Sequence, residues 1–387
     1  MRKAAAGHLS EQVAAERDGR GEQYAVLVSA GRPWMMLEVA WGHGHWAVWL
    51  FDEQGRRTVK YDHRVLADDQ IFLRHTCEWR YDSAEQAEFD ARAWTRSRTF
   101  DPDGRCREIL EPKGDRGGSR HTWPKADPGR LWFPMPVFGE WAFAHRYLSG
   151  LSPDAAVRVT GAPDAPERVT SPWRPPAPMR PRWLDRMFRQ GERFALPRMG
   201  EVVMDVQPGP SLVMPTGRLV AADPGCVEDD TEAFTAAVPP GTYEVSLAVA
   251  AFVDDPEHRR VAGVKVVIAD RQPVTWELAL EPGQDPRLLG DGEFYGFGVD
   301  TGMGCLFDAS AARALAAAGE DDDEFDRICD LVHEHVWAGI DVGPGANCVA
   351  FLSGWGDGAY PVWAGRDADG DVVCFVADMI ILNDAAV

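Results

Sequence analysis

No stretch of this 387-residue chain approaches the roughly 20 consecutive apolar residues that a membrane-crossing helix needs, so no membrane partner is expected. Cysteine is sparse: seven residues, scattered, with no CxxC spacing. An odd count without paired spacing argues against a disulfide framework and fits reduced thiols. Arg2 and Lys3 are followed by Glu11, Glu16, Arg17 and Asp18 with no apolar segment between, so no secretory leader is expected and the expected location is cytoplasmic. Basic charge is missing from the second half. Residues 1–195 carry 30 Lys+Arg against 27 Asp+Glu, net +3, and residues 196–387 carry 10 against 34, net −24, which together give −21. A half this acidic repels phosphate backbones, and the first half lacks a strongly basic footprint, so nucleic acid is not an expected partner. Also absent are GxSxG, HExxH and Walker A patterns and any zinc-finger or RNP-like motif, and no cofactor is expected.

What is present is enough apolar material for a large core, 45% hydrophobic against 26% charged residues. Tryptophan is abundant, and eleven of the 15 lie at or before Trp183, which marks the first region as aromatic-rich. Residues 8–20 read as a short amphipathic helix. Met36 to Val39, Trp46 to Phe51, Arg57 to Tyr61 and Ile71 to Trp79 read as strands, with Asp52-Glu53-Gln54-Gly55 as a hairpin turn. Ser83 to Trp94 has helical composition, Thr99 to Pro128 reads as a long polar loop, and Arg130 to Val137 and Glu140 to Tyr147 return to aromatic strand or helix character.

Eight prolines between Pro153 and Pro181 cannot sit inside regular elements, which predicts a Pro-rich linker over 151–195. It separates a Trp-rich, mostly β domain over 1–150 from a second domain over 196–387. In the latter, Tyr243 to Phe252, Arg260 to Ala269 and Val274 to Leu280 pattern as strands. Helical segments follow at 309–318, with Asp308 as a plausible N-cap, and at 323–338. Asn347 to Ser353, Tyr360 to Ala364 and Val372 to Leu382 are further strands, and Asp369-Gly370 marks a hairpin. Strands, two helices, then strands give an α+β class with a mainly antiparallel sheet.

Gly217 to Pro224 (GRLVAADP), Val238 to Val245 (VPPGTYEV), Tyr295 to Asp308 (YGFGVDTGMGCLFD), Ser353 to Pro361 (SGWGDGAYP) and the segment from Trp363 to Leu382 occur in this order. On these segments residues 217–382 resemble the DUF4241 family of uncharacterised, mostly bacterial proteins. The resemblance implies no activity and transfers no catalytic residue. Its members look like companions of bacterial conflict or secretion loci, which implies a binding or immunity role.

Four readings compete over Gly296 to Cys305. Glycine-rich chain can cradle phosphate, but the spacing matches no nucleotide motif. Val-Asp-Thr-Gly resembles an aspartic protease tetrapeptide, yet that chemistry needs a second carboxylate and there is one copy. Cys305 can serve as a nucleophile if His333 or His335 approaches. The fourth reading is a glycine-permitted turn between buried strands, with Asp300 capping backbone N–H groups. Ser353 to Tyr360 is a flexible loop able to present Trp355 and Asp357 to a ligand, or a turn in which Trp355 covers the core edge. Metal signals stay below the three or four ligands that zinc takes. His43 and His45 share a face if both lie on a strand, Cys329 and His333 share a helix face, and Asp367-Asp369-Asp371 lacks the glycine and distal glutamate of a calcium loop. No metal site is expected. The leading expectation is therefore a binding protein of the bacterial cytosol, of immunity type, whose acidic surface faces a basic protein. The alternative is a small-molecule-binding domain or hydrolase with catalytic candidates Asp300, Cys305 and Asp357 and ligand contacts from Asn347, Trp355 and Tyr360.

Overall fold

The computed structural model describes residues 9–29, 32–112, 118–140, 147, 173–343 and 345–386. The chain divides into two compact units, Met1–Ala177 and Pro178–Val387. Most of Glu140 to Tyr147, and residues 151–172 of the expected linker, lie outside the described residues.

The first unit opens with helix α1 (Glu11–Arg20). The Ser10 side chain accepts from Val13 N at 3.2 Å and starts it, and Gly21 ends it at φ 72°. Strands β1 (Tyr24–Ser29), β2 (Pro33–Ala40), β3 (His45–Phe51), β4 (Arg57–Ala67) and β5 (Gln70–Arg80) follow. They continue as β6 (Trp94–Phe100), β7 (Cys106–Glu111), β8 (Arg120–Thr122) and β9 (Trp132–Pro134). All nine form one antiparallel sheet in the order β1 to β8, with β9 added to β5. The Asp52–Gly55 turn forms as expected: Asp52 Oδ1 accepts from Gln54 N and Arg56 N, and Gly55 takes φ 75°. Met35, Leu37, Val39, Trp46 and Val48 bury one face of the sheet with help from Leu9 and Ala14.

Two expectations fail in this unit. Thr99 to Pro128 is not a continuous loop, because β7 and β8 lie within it. The charges that made it look like loop are cross-strand pairs, with Arg96 and Arg98 reaching the same Glu108 carboxylate at 2.8 and 2.6 Å. Ser83 to Trp94 forms turns up to Ala93, after which β6 begins, and no helix. Tertiary anchors outweigh its propensity: Arg56 Nη1 donates to the carbonyls of Ser83 and Gln86, and Arg57 holds both Glu88 oxygens.

In the second unit the residues read as the end of the linker build regular structure. They form α2 (Leu184–Met187) and β10 (Arg193–Leu196), and Leu184, Met187 and Phe194 are buried in its core. Strands β11 (Gly200–Pro208), β12 (Leu212–Met214), β13 (Leu219–Ala222), β14 (Gly241–Phe252), β15 (Arg259–Val267) and β16 (Thr275–Leu278) precede β17 (Phe297–Val299) and β18 (Met303–Asp308). Helices α3 (Ala312–Glu320) and α4 (Asp322–His335) come next, then β19 (Trp337–Asp341), β20 (Asn347–Leu352), β21 (Gly358–Tyr360), β22 (Val362–Arg366) and β23 (Val372–Asp378). An eight-stranded sheet runs β10-β11-β14-β15-β23-β22-β16 with β12 on β14, a four-stranded sheet runs β13-β18-β20-β19, and β17 pairs with β21.

Period-two alternation assigns the layers. Leu219, Ala221, Leu306, Val349 and Phe351 turn from the four-stranded sheet toward the large sheet's core. Val220, Cys305, Phe307, Cys348 and Ala350 turn the other way, against Leu315 of α3 and Ile328 and Val332 of α4. The acidic run at 320–326 starts α4, where Asp321 accepts from Glu324 N at 3.1 Å and carboxylates meet the positive end of the helix dipole. Asp308 caps the short turn that leads into α3, accepting from Ser310 N at 3.0 Å.

Candidate functional site

Glycine shapes the segment from Gly296 to Cys305. A Cβ on Gly296 would collide with the Tyr360 carbonyl oxygen, and Gly302 turns the chain at φ 74° between β17 and β18. The turn is capped, but not by Asp300, whose side chain is exposed. The cap is Asp223, 1% exposed just after β13. One of its oxygens accepts from Asp300 N at 2.8 Å and Thr301 N at 2.7 Å. The other accepts from the Thr301 hydroxyl and from Gly225 N, each at 2.8 Å. Sequence reasoning placed Asp223 only within the GRLVAADP segment and gave it no role. An aspartate directly before Pro224-Gly225, a turn composition, was the available signal.

The β17–β21 register pairs Val299 with Gly358, so Asp300 and Asp357 stand one residue beyond the same end of that ladder, both exposed. The Ser353–Gly358 loop is tied there as well: Ser353 N donates to Gly302 O at 2.9 Å. Within the loop the Ser353 and Tyr360 hydroxyls both donate to Gly356 O at 2.8 Å. Tyr360 is buried against Phe297, so it supports the loop and offers no surface to a ligand.

Cys305 and Asn347 do not join these carboxylates. Cys305 is 0% exposed between β13 and β20, and burial, with Cys348 and Asp223 nearby, pushes its thiol well above the usual range. A thiol without solvent access or thiolate character is not a nucleophile. His333 and His335 sit exposed at the end of α4, where His333 Nδ1 donates to the Cys329 carbonyl at 2.8 Å. Asn347 pins β12 from the far end of β20: its Oδ1 accepts from Val213 N and its Nδ2 donates to Ser211 O, both at 2.8 Å. Five strand steps separate it from Leu352, about 17 Å at the usual rise.

The metal readings fare likewise. His43 lies in a 3-10 turn and His45 begins β3 after Gly44, so the two imidazoles share no strand face. Asp367 Oδ1 instead accepts from Asp369 N and Asp371 N at 3.0 Å, closing the β22–β23 hairpin. Among the described residues no group of three or more metal-ligating side chains converges.

Trp355 is the loop's outward element, 46% exposed. Three neighbours hold it. Phe252 and His258 stack at 4.2 Å, each ring lies 6.3 Å from the Trp355 ring, and the Arg260 guanidinium lies 5.6 Å from it. Arg260 Nε donates to His258 Nε2 at 3.1 Å. Next to Phe252 stands Val253, 41% exposed, followed in the β14–β15 turn by exposed Asp254, Asp255 and Glu257. Exposed Trp355 is thus seated on β14 and β15 residues in a strongly acidic half of the chain, a placement that composition alone could not have located.

No helix among the described residues is long and apolar enough to cross a membrane. Comparison with curated proteins finds no match, and comparison with solved structures finds none either. Residues 212–377, which carry Asp223, Phe252, His258, Asp300, Trp355 and Asp357, match the model of the family described as protein of unknown function (DUF4241).

Proposed function

We propose that the second unit is a protein-binding module that docks a basic segment of another protein onto Trp355. The observation that carries this reading is the pre-ordered exposure of Trp355. A half-exposed indole fixed by three side chains gives contact area at low entropic cost, and tryptophan is enriched among residues that dominate binding energy. Charge complementarity selects the partner. Asp254, Asp255, Glu257, Asp300 and Asp357 are exposed, and residues 196–387 carry a net −24. A role in neutralising a basic effector fits such a surface.

The test is calorimetric titration of the full chain with a synthetic peptide of alternating arginine and leucine, beside its glutamate–leucine counterpart. The arginine peptide binds with an affinity that falls as salt rises, and the glutamate peptide does not bind. Trp355→Ala weakens binding by about 30-fold, the loss expected at a central hot spot. Equal affinity of Trp355→Ala and the unaltered protein sinks the proposal.

A further inference from the structure

The first unit brings a serine and a histidine into contact that no motif announces. β4, β5 and β6 are antiparallel neighbours, and their registers set Asp62 opposite His75 opposite Thr99, and Lys60 opposite Cys77 opposite Ser97. Period-two alternation puts all six side chains on one face of the sheet. On that face His75 Nε2 and Ser97 Oγ are 2.7 Å apart. Both residues are only partly buried, so water can satisfy either one, and burial does not force them together. When the serine donates, Nε2 accepts, and that is the tautomer a general base requires.

We propose that Ser97 and His75 form the nucleophile and general base of an esterase site acting on carboxylic esters that carry an aromatic or apolar group. The serine oxygen attacks the ester carbonyl while its proton passes to His75 Nε2. Collapse of the adduct breaks the bond to the alkoxy oxygen, which takes that proton and leaves as the alcohol. Water then attacks acyl-Ser97, gives its proton to His75, and releases the carboxylic acid with Ser97 restored. The cycle is redox-neutral and consumes one water.

The surroundings fit these roles. Asp62 stands directly across from His75, at the cross-strand side-chain spacing of about 5 Å. Its charge favours the imidazolium formed during attack. Asp62 is itself held by His45 Nδ1 at 3.3 Å, by Lys60 Nζ at 3.5 Å and by the Arg64 guanidinium, so its position is built rather than incidental. Cys77, between Lys60 and Ser97, is no rival nucleophile, because burial pushes its thiol up to about 12. Beyond Lys60 and Cys77 on the same face, Trp49 and Trp79 stack at 5.8 Å and Phe89 packs against both, an aromatic cluster that flanks the pair and offers the partly exposed Trp79 and Phe89 to the apolar half of the substrate. The charged groups on that face around His75 include Asp62 and Lys60 on β4, with His45 and Arg64 behind them, and Arg107 on β7 beyond Thr99.

The experiment uses the full chain with a fluorophosphonate probe, followed by mass spectrometry of the labelled peptide and hydrolysis of p-nitrophenyl butyrate. The probe adds to Ser97, and Ser97→Ala abolishes both the adduct and ester hydrolysis. His75→Gln lowers kcat at least about 100-fold, the scale of general-base catalysis. Asp62→Asn, a positioning change, moves the acid limb of the kcat/KM profile to lower pH, with melting temperature measured alongside. An adduct elsewhere than Ser97, or undiminished hydrolysis by Ser97→Ala, overturns the assignment without touching the Trp355 reading.

Discussion

Asp223 shows how much one side chain can decide. Its carboxylate accepts four hydrogen bonds from Gly225, Asp300 and Thr301 while 1% exposed. Hydrogen bonds to a buried charge contribute more than neutral ones, and the donors they leave behind lose their partner. Asp223→Ala is therefore expected to destabilise the second unit by about 2–4 kcal/mol, measured by urea denaturation. Asp300→Asn, altering an exposed carboxylate, changes stability little. Equal effects at the two positions would show that the turn is not held as described. The glycine-permitted turn between strands was readable in the segment itself. The identity of the capping carboxylate was not, because Asp223 and Asp300 are 77 residues apart and meet only through tertiary structure.

Short elements carry the site. β17 and β21 are three residues each, too brief to pattern, and they exist because Gly296 admits the Tyr360 carbonyl. Gly296→Ala is expected to cost about 1–3 kcal/mol through overpacking, with loss of Arg–Leu peptide binding as the β21 end of the Trp355 loop shifts. A melting temperature equal to that of the unaltered protein would contradict the close approach. Long alternating strands behave differently. β14 was legible because its twelve residues alternate at first and then run apolar from Leu247 to Phe252, a pattern long enough to be unmistakable. β7 was illegible because its polar residues pair across strands, and composition cannot distinguish a paired charge from a solvated one.

The two units bring opposite pH dependences to the whole molecule. In the first, burial lowers the His63 imidazole to about 3, helped by His45 and Arg64 against Asp62 and the Trp46 backbone. A histidine kept neutral by the fold stabilises above its unfolded value near 6.5, and this is lost as pH falls toward 3. In the second, burial raises the Asp378 carboxyl from 3.8 to about 6 against its bond from Ile380 N. Such a carboxyl favours the fold while protonated, so its contribution is full below pH 3.8 and declines as pH rises through 6. Asp378→Asn is expected to stabilise the second unit at pH 7.5 by up to about 3 kcal/mol and to leave pH 4 nearly unchanged. Thermal melts across pH decide this, and a gain at pH 4 matching that at pH 7.5 would refute the assignment.

By itself the sequence determined the strand-rich character, the long hairpins, the start of the second helix of the C-terminal region and the likeness of residues 212–377 to a family of unknown function. Each of these rests on local periodicity, turn chemistry or an ordered run of segments. Tertiary structure alone decided that Cys305 is core, that Asn347 is a strand clasp, that Trp355 is held outward by Phe252, His258 and Arg260, and that Ser97 meets His75. These outcomes depend on which strands become neighbours and in what register. A shift of one residue would turn every one of those side chains to the opposite face.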